Sequence, residues 1–460
     1  MPKKVAFCHY RVGGTDGVSL EIEEQKKILE KYGCEIKLIA GARSNGVDYI
    51  IKELEWDNGT IPAIKENGFL YFEKEYLNSN ELKTKINRIS KIIKDKLTDI
   101  QLKEKFDFVF IHNIFSFGGH IASAKAFTEW INKFKIPTNA THHDFFWERE
   151  EYRMPRSEYI RQYMQKYMPP KSPYINHIVI NSLTQQELKK RHNIEATVFP
   201  DIFDFNQPKW KKDKFNKDFL KQFDIKSKDL IILQATRVIP RKGIELAIDF
   251  TKALQKNIHK LKGKRLYNGK KINSKVNVVL IIAGYAEDEK REYLFKLKTK
   301  IFKDRIHAKF ISDNVKVKRN FFGGIKSYSL WDAYVYADLV TLPSLWESWG
   351  NQFIEAVFAK KPVVVFEYPV FKKDIKPEGY KVISLGNKIK KRDKDDFVKI
   401  PQQNINQAVQ KTIKWLLDED LNKKLDHNFK ACKKFHGHQV LENFLVEKLK
   451  LKQKALKRAF

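Results

Sequence analysis

The sequence of 460 residues is poor in cysteine, with only Cys8, Cys34 and Cys432. Their spacing forms neither a disulfide framework nor a metal-binding pattern, which predicts a protein of a reducing compartment. No run approaches the roughly 18 apolar residues of a transmembrane helix, and no signal-peptide pattern precedes the first strand-like segment. We therefore expect a cytoplasmic protein with at most peripheral contact to the inner membrane face.

Arginine is also scarce, because only 16 of the 88 Lys+Arg residues are arginine. Against 56 Asp+Glu, the formal net charge is +32. Arginine is the usual residue for bidentate recognition of bases and phosphates, so this lysine excess favours a charged surface over a nucleic-acid reader. Its field should still attract phosphates, acidic substrates and anionic membranes. The 42% hydrophobic and 13% aromatic residues exclude global disorder.

Strand-like and helical segments alternate along the chain, which is typical of parallel sheets with crossover helices. We predict an α/β protein with two doubly wound, Rossmann-like domains facing across a cleft. The predicted boundaries are an N-terminal acceptor domain over 1–205, a linker over 206–228, a nucleotide-sugar domain over 229–436, and a C-terminal crossover helix over 437–460. Ligands of such sheets lie at the carboxyl ends of the strands.

Three local features supplement this organisation. Ser182 is a predicted helix N-cap, because its side chain can accept from a free N–H group. The basic, glycine-containing segment 259–275 is predicted to be an exposed loop. The C-terminal segment Gln439–Phe460 is basic and amphipathic, so it either packs across the two domains or lies on an anionic membrane.

The strongest chemical signal is a loop between a predicted strand ending at Leu342 and a predicted helix beginning near Asn351. The N-terminus of this helix offers free N–H groups, which suit a phosphate. Glu347 lies in the loop and Glu355 about one turn into the helix, so both carboxylates could accept from sugar hydroxyls. A solvated first-turn acid gives the same spacing, so the two glutamates alone are not diagnostic.

A second signal follows the first strand of the second domain. Arg237 and Lys242, together with Arg241, could clamp a diphosphate at the end of this strand. An exposed basic turn is the alternative interpretation. Near the N-terminus, Gly13 and Gly14 follow the first strand and could allow a ligand to approach the backbone, although an ordinary tight turn needs them as well.

A fourth signal, Thr141–Arg149, contains adjacent histidines and several charged residues. Because adjacent side chains on a strand point to opposite faces, His142 and His143 are poorly placed to bind one zinc ion together. We therefore favour hydrogen bonding to a substrate over metal binding, and we predict no metal site.

These segments together resemble glycosyltransferase family 4. Ser344–Ala356 is similar to the family signature P-S-x-x-E-x-x-G-x-x-x-x-E-A, and Arg237 with Lys242 matches its Arg-x4-Lys pair. The segment that follows the signature is also similar, with Lys361 where the family usually has glycine. The resemblance implies a GT-B fold and a retaining, metal-independent hexosyltransferase whose only cofactor-like ligand is a nucleotide-sugar co-substrate.

The resemblance also implies roles for individual residues. The catalytic residues would be Arg237 and Lys242 on the diphosphate, Glu347 on the donor hexose, and His143 near the bond being broken. The donor-binding residues would be Gly14, Trp349, Gly350, Asn351 and Glu355, with Glu355 on the ribose. The acceptor-binding residues would be His142, Asp144 and Arg149, with His142 also the competing candidate for the donor contact of His143.

We therefore predict transfer of a hexose from a donor of the GDP-mannose or UDP-glucose type to an acceptor hydroxyl. The string His143–Arg149 resembles family members that act on phosphorylated or carboxylated acceptors, so the predicted partner is an anionic small molecule or glycan. The sequence alone leaves a second hypothesis, a basic nucleic-acid-binding or membrane-surface protein without transferase activity.

Overall fold

The computed structural model describes residues 3–14, 16–42, 44–72, 77–286, 291–316 and 318–451. The chain divides into two compact units. The first unit comprises residues 1–200 and 439–460, and the second comprises residues 201–438.

The first unit is built on a seven-stranded sheet in the order β3-β2-β1-β4-β5-β6-β7, with parallel neighbours throughout. Its elements are β1 Lys4–Cys8, α1 Gly17–Lys31, β2 Glu35–Ala40, β3 Tyr49–Ile50, α2 Ile61–Gly68, α3 Ser79–Glu104, β4 Phe108–His112, α4 Ile121–Phe134, β5 Thr138–His142, α5 Glu158–Tyr167, β6 Ile175–Val179, α6 Ser182–His192 and β7 Ala196–Val198. The order reverses between β1 and β4, so the loops after these strands flank the switch point where α/β sheets bind ligands.

The second unit contains a six-stranded parallel sheet in the order β10-β9-β8-β14-β15-β16. Its elements are α7 Phe219–Gln222, β8 Leu230–Gln234, α8 Ile244–Lys256, β9 Val278–Ile282, α9 Arg291–Lys303, β10 His307–Phe310, β11 Val315–Lys316, β12 Asn320–Phe322, β13 Ile325–Ser329, α10 Leu330–Tyr336, β14 Leu339–Leu342, α11 Asn351–Phe358, β15 Val363–Val365, β16 Ile383–Ser384, β17 Lys391–Arg392, β18 Val398–Lys399, α12 Gln402–Leu416 and α13 Leu421–His436. Here the order reverses between β8 and β14.

Continuous apolar runs form the central strands of the second sheet. Every residue of β8 and β9 is buried, as expected for parallel strands covered by helices on both faces. The predicted α/β class with two Rossmann-like domains is confirmed.

Helix α14, His438–Leu449, returns the chain to the first unit. Its residues Leu441, Leu445 and Leu449 are buried, and the ring of Phe444 stacks on Phe199 with centroids 4.2 Å apart. The apolar stripe therefore packs against protein. Among the residues that the structure describes, no helix combines the length and apolar character needed to cross a bilayer.

Segment 206–228, predicted to be a linker, lies within the second unit. Asn216 is fully buried and donates from Nδ2 to Oδ1 of Asp332 at 2.8 Å, while Trp210 stacks on Trp331 with centroids 5.0 Å apart. Because the segment is rich in lysine, its composition alone does not show that these few side chains anchor it in the second unit.

One further local prediction was wrong, and another was incomplete. The N-cap of α6 is Asn181, whose side chain accepts from the backbone N–H of Thr184, and Ser182 is already inside the helix. Segment 259–275 is a largely exposed loop, as predicted, but Leu261, Leu266 and Ile272 are buried and anchor it in the second core. The charged residues of the segment lie on the solvent side of these three buried side chains.

Candidate active site

The two signature loops of the second unit meet at its switch point. The loop holding Arg237, Arg241 and Lys242 follows β8, and the loop holding Glu347 follows the neighbouring strand β14. The backbone N–H of Leu345 donates to the carbonyl oxygen of Arg241 at 2.8 Å, which joins the two loops directly. The strand order thus brings together residues that are about a hundred positions apart in sequence.

A buried ion cluster forms between these loops. Lys242 donates from Nζ to Oε1 of Glu347, and Arg241 donates from Nη1 to Oε2 of Glu347 at 2.9 Å. Lys242 is only 4% exposed and Glu347 5%. One carboxylate therefore faces two cations in a largely water-excluded place, which leaves excess positive charge for an anionic ligand.

The pKa values of this cluster follow from burial and mutual attraction. Burial lowers the pKa of Lys242 to about 8, even though Glu347 favours its charged form. Burial opposes the charged form of Glu347 as well, but Lys242 and Arg241 outweigh it and hold its pKa below the ordinary value. Arg237 lies close enough for its charge to contribute to the lowered pKa of Lys242.

The segment before α11 is shaped by Gly350 and Trp349. Gly350 has φ +123°, and a Cβ atom there would lie 2.3 Å from the hydroxyl oxygen of Tyr368. That hydroxyl donates to the carbonyl oxygen of Trp349. The ring of Trp349 is buried and packs on His436, with the ring centroids 5.1 Å apart. Trp349 can thus offer a ligand its backbone N–H but not its ring, and Asn351 begins the helix as an exposed residue.

Glu355 lies one turn into α11. Its Oε2 accepts from the hydroxyl of Tyr334 at 3.0 Å. Burial raises the pKa of this carboxyl to about 7, despite the opposing effect of the tyrosine hydrogen bond. Near neutral pH, Glu355 can therefore act as an acceptor or, when protonated, as a donor toward a hydroxyl group.

In the first unit, histidines stand at the carboxyl ends of three neighbouring strands: His9 after β1, His112 at the end of β4 and His143 after β5. The rings of His112 and His143 stack with centroids 5.8 Å apart. Nε2 of His143 lies 3.3 Å from Oε2 of Glu21. Burial lowers the pKa of His9 to about 4 and that of His112 well below its usual value, so both imidazoles are neutral at pH 7.

Glu21, His112 and His143 bring their donor atoms within 4.8 Å of one another. Neither ring nitrogen of His112 meets a hydrogen-bond partner within the described ranges. Two imidazoles and a carboxylate are donors that zinc accepts. No metal site was expected from the sequence, and neither Glu21 nor His112 was among the predicted site residues.

His142 lies outside this row. It is 1% exposed, and its Nε2 lies 2.9 Å from Nδ1 of His177 in a buried pair. The structure therefore contradicts the predicted acceptor role of His142, and it removes His142 as a competitor for the donor contact. The alternation of a strand explains the outcome, because the last residue of β5 points into the protein while His143 emerges.

Asp144 and Arg149 form an ion pair beside this row, with Nε of Arg149 2.6 Å from Oδ2 of Asp144. The guanidinium also lies over the ring of Phe117, 5.6 Å from its centroid.

Near β1, Gly13 adopts φ +73°, and a Cβ atom there would lie 2.3 Å from the carbonyl oxygen of Asn45. The backbone constraint thus falls on Gly13, whereas Gly14 is exposed with ordinary dihedral angles.

Comparison with known proteins agrees with this geometry. A family model described as "Glycosyl transferases group 1" matches residues 215–431. The chain is 38% identical over 388 residues to the mannosylglucosylglycerate synthase of Petrotoga mobilis, which covers 84% of this chain and 87% of that protein. The corresponding synthase of Thermotoga maritima is 35% identical over 448 residues, with 96% and 98% coverage.

The chain belongs to glycosyltransferase family 4. Its fold is similar to that of the sucrose-phosphate synthase of Thermosynechococcus elongatus, with a TM-score of 0.58 at 12% identity and coverage of 97% and 98%. The protein is thus a GT-B glycosyltransferase that uses a nucleotide-sugar donor and an acceptor. Membership of this family does not support the alternative hypothesis of a nucleic-acid-binding or membrane-surface protein without transferase activity.

For this glycosyltransferase, the structure brings together Arg237, Lys242 and Glu347 in one unit and His143, Asp144 and Arg149 in the other. Sequence reasoning missed Glu21, His9 and His112. A signal for the two histidines was present in the sequence, since the apolar runs that begin at Val5 and at Phe108 each end at a histidine. Glu21 gave no such signal, because an acidic residue on an amphipathic helix is usually solvated.

Proposed function

We propose that this glycosyltransferase transfers a mannosyl group from GDP-mannose to a hydroxyl of glucosylglycerate, with retention of anomeric configuration and without a metal. The product would be the compound named in the two similar synthases, mannosylglucosylglycerate. The buried Lys242–Glu347 pair with its second cation, Arg241, is the observation on which the proposal rests. This ion cluster is suited to bind a diphosphate, which leaves the sugar with a negative charge.

The donor diphosphate binds to the excess positive charge of Lys242, Arg241 and Arg237. Because Glu347 already fixes two of these cations, the charges are oriented before the donor arrives and need little reorganisation during the reaction. Glu347 also accepts from a hydroxyl of the mannosyl ring, and Glu355 accepts from the ribose. The cations take the place of the divalent metal that other nucleotide-sugar enzymes need.

In the reaction, the bond between the anomeric carbon and the diphosphate oxygen breaks, and a bond to the acceptor oxygen forms on the same face. The acceptor proton passes to the departing diphosphate, so no strong general base is required. His143, half-buried at the end of β5, contacts the donor sugar. Asp144 and Arg149 contact the acceptor, whose glycerate carboxylate matches the strongly positive charge of the protein.

A thermal-shift series with GDP, UDP and ADP tests the donor assignment. A ligand that binds only the folded protein stabilises it by about 2.7 kcal/mol at a hundredfold excess over its Kd, so GDP should raise the melting temperature more than UDP or ADP. Incubation with GDP-mannose and glucosylglycerate should then yield a product whose anomeric NMR signals show an α linkage.

The same assay in EDTA tests metal independence. We expect unchanged turnover. Loss of activity that zinc restores would contradict this part of the proposal and would implicate Glu21, His112 and His143. A β-linked product would contradict retention, and transfer from UDP-glucose in preference to GDP-mannose would contradict the donor.

A further inference from the structure

One ring of the histidine row has no role in the proposed reaction. His112, the last residue of β4, is completely buried, and among the residues that the structure describes neither of its ring nitrogens meets a hydrogen-bond partner. A neutral imidazole carries one N–H donor and one acceptor nitrogen. Because buried polar groups nearly always have partners, an exception of this kind marks the ring as a candidate ligand for an ion.

Two half-buried side chains beside this ring complete a set of three metal ligands. Donor atoms of Glu21, His112 and His143 all lie within 4.8 Å of one another, and Nε2 of His143 is 3.3 Å from Oε2 of Glu21. The ligand atoms of a tetrahedral zinc ion, bound at about 2.0–2.1 Å, are about 3.3 Å apart. One pair therefore has this spacing already, and the third ligand needs a relative shift of at most about 1.5 Å.

Neighbouring groups hold these ligands in place. Nε2 of Gln25 donates to Oε1 of Glu21 at 2.7 Å, so the carboxylate is fixed through the oxygen that does not face His143. Nδ1 of His9 lies 2.8 Å from the carbonyl oxygen of His112 and fixes the end of its strand. Outer contacts of this kind orient the ligands of metal sites in proteins.

The three ligands differ in their access to solvent. The side chains of His143 and Glu21 are 18% and 26% exposed, whereas His112 is buried behind them. An ion can thus enter from solvent, and a fourth coordination position stays available for water, as in open zinc sites. Magnesium and calcium prefer oxygen ligands, so two imidazoles with one carboxylate favour zinc or a similar transition metal.

We propose that Glu21, His112 and His143 bind one zinc ion and that the bound ion inhibits glycosyl transfer. The binding is independent of the proposed function. The inhibition rests on it, because there His143 contacts the donor sugar, and zinc on Nε2 of His143 removes this nitrogen from that contact. Transfer itself needs no metal, and zinc acts only as an inhibitor.

Zinc binding is measured first, on the full chain without substrates. After treatment with a chelator, calorimetry with zinc chloride should show one ion per chain, and cobalt(II) should give the visible absorption of a tetrahedral site, which zinc then removes. Loss of an outer contact lowers metal affinity by about 10- to 100-fold, so Gln25→Met should have an effect of this size. Loss of a ligand, in Glu21→Gln or His112→Phe, should cost more than about 100-fold. Glu21→Gln keeps the shape of a half-exposed side chain, so it decides the question if His112→Phe does not fold.

His177→Gln is the matched control. His177 is also a buried histidine at the same sheet, and its Nδ1 lies 2.9 Å from Nε2 of His142, but within the described ranges no third ligand completes this pair. The control should bind zinc with wild-type affinity. In the transfer assay, zinc should lower the rates of the wild type and the control by at least about tenfold, and EDTA should restore them. Glu21→Gln and His112→Phe should keep their own zinc-free rates at the same zinc concentration.

The outcomes separate this inference from the proposed function. The site would be overturned by the absence of stoichiometric zinc, or by equal zinc affinity in Glu21→Gln, His112→Phe and the control, and the proposed function would stand. A zinc-loaded wild type that keeps its full rate would overturn the inhibition. Activity that is lost in EDTA and restored by zinc would overturn the inhibition together with metal independence. A wild type without transferase activity would overturn the proposed function, and calorimetry would still decide whether the three residues bind zinc.

Discussion

The two units hold their charged groups in opposite ways. In the second unit, Lys242 and Glu347 are almost completely buried and paired with each other. In the first unit, Arg11 and Arg149 each expose 43% of their side chains and lie on aromatic rings. A buried, paired cluster suits a group of fixed charge and shape such as a diphosphate, whereas exposed guanidiniums suit a ligand that varies within a family.

Buried titratable groups differ between the units as well. The first unit buries histidines whose pKa values are lowered by desolvation, among them His9, His120 and His177, each with a pKa of about 4. In the second unit, Lys242 and Lys361 have pKa values of about 8 for the same reason. Acid should therefore destabilise mainly the first unit by charging its histidines, whereas base removes the charge of the two lysines in the second unit.

The largest effect should come from removing the buried ammonium. Loss of one preorganised donor to developing negative charge costs about 10²- to 10³-fold in kcat, so we expect Lys242→Ala to approach the upper value. Steady-state mannosyl transfer measures it, with circular dichroism as the check on folding. Lys300→Gln is the matched control, since Lys300 is paired with Asp249 at 2.5 Å and Asp304 at 2.8 Å on α9. Equal losses in both variants would mean that buried charge in this unit has only a structural role.

Glu347→Gln should lower kcat by about 10²-fold, because the variant keeps the shape but loses the charged acceptor for the sugar and the fixed orientation of Lys242. Affinity for GDP should not fall, because the substitution removes a negative charge next to the diphosphate. Isothermal calorimetry with GDP and steady-state kinetics together measure this divergence. Glu245→Gln, which alters another buried glutamate, bonded to Tyr293 at 2.5 Å, serves as the control. Weaker GDP binding in Glu347→Gln would argue against this arrangement of charges.

Acidification should destabilise the first unit before the second. A buried histidine with a folded pKa of about 4 and an unfolded value near 6.5 binds fewer protons when folded, so stability falls as the pH drops from 6.5 toward 4. At pH 5, each such histidine accounts for about 2 kcal/mol. Hydrogen exchange followed by mass spectrometry should show β5 opening more readily at pH 5 than at pH 7, with β8 much less affected. Parallel changes in both strands would refute the contrast.

The smallest effect concerns the pH profile of the reaction. Glu355 has a pKa of about 7 and Lys242 of about 8, so kcat/KM for the donor should fall about tenfold per pH unit below 7 and above 8. The acid limb reflects protonation of the Glu355 carboxylate, and the alkaline limb reflects loss of the Lys242 charge. Glu355→Gln should remove only the acid limb. A variant profile with both limbs intact would assign the acid limb to another group.

The sequence predicted most of what depends on local patterns. Buried apolar runs located the strands, and the resemblance to the family signature located Lys242, Glu347 and Glu355. It did not predict arrangements set by strand order, such as Arg11 on Trp56 or His143 against Glu21, because these partners lie on different elements. His142 shows a further difficulty, because only the pleat of strand β5 decides which of the two adjacent histidine side chains is buried and which reaches the surface.

The predictions that were based on amino-acid composition were inaccurate for a different reason. Segments 206–228 and 259–275 were interpreted from their lysine content, but a few apolar side chains determine where each segment packs. Leu261, Leu266 and Ile272 follow neither helical nor strand spacing, so no periodic pattern could identify them as core residues. Lysine-rich chains will often mislead composition-based boundaries in this way.

The return of α14 to the first unit has a consequence for biosynthesis. The 238 residues of the second unit are made between the two parts of the first, which at about 5–20 residues per second takes roughly 12–48 s. Throughout this interval, Phe199 lacks the ring of Phe444, and the surface that later buries Leu445 stays open to water or to a chaperone. The N-terminal half of the gene product thus matures last, and a ribosome that stalls late in the message would release a damaged first unit rather than a damaged second one.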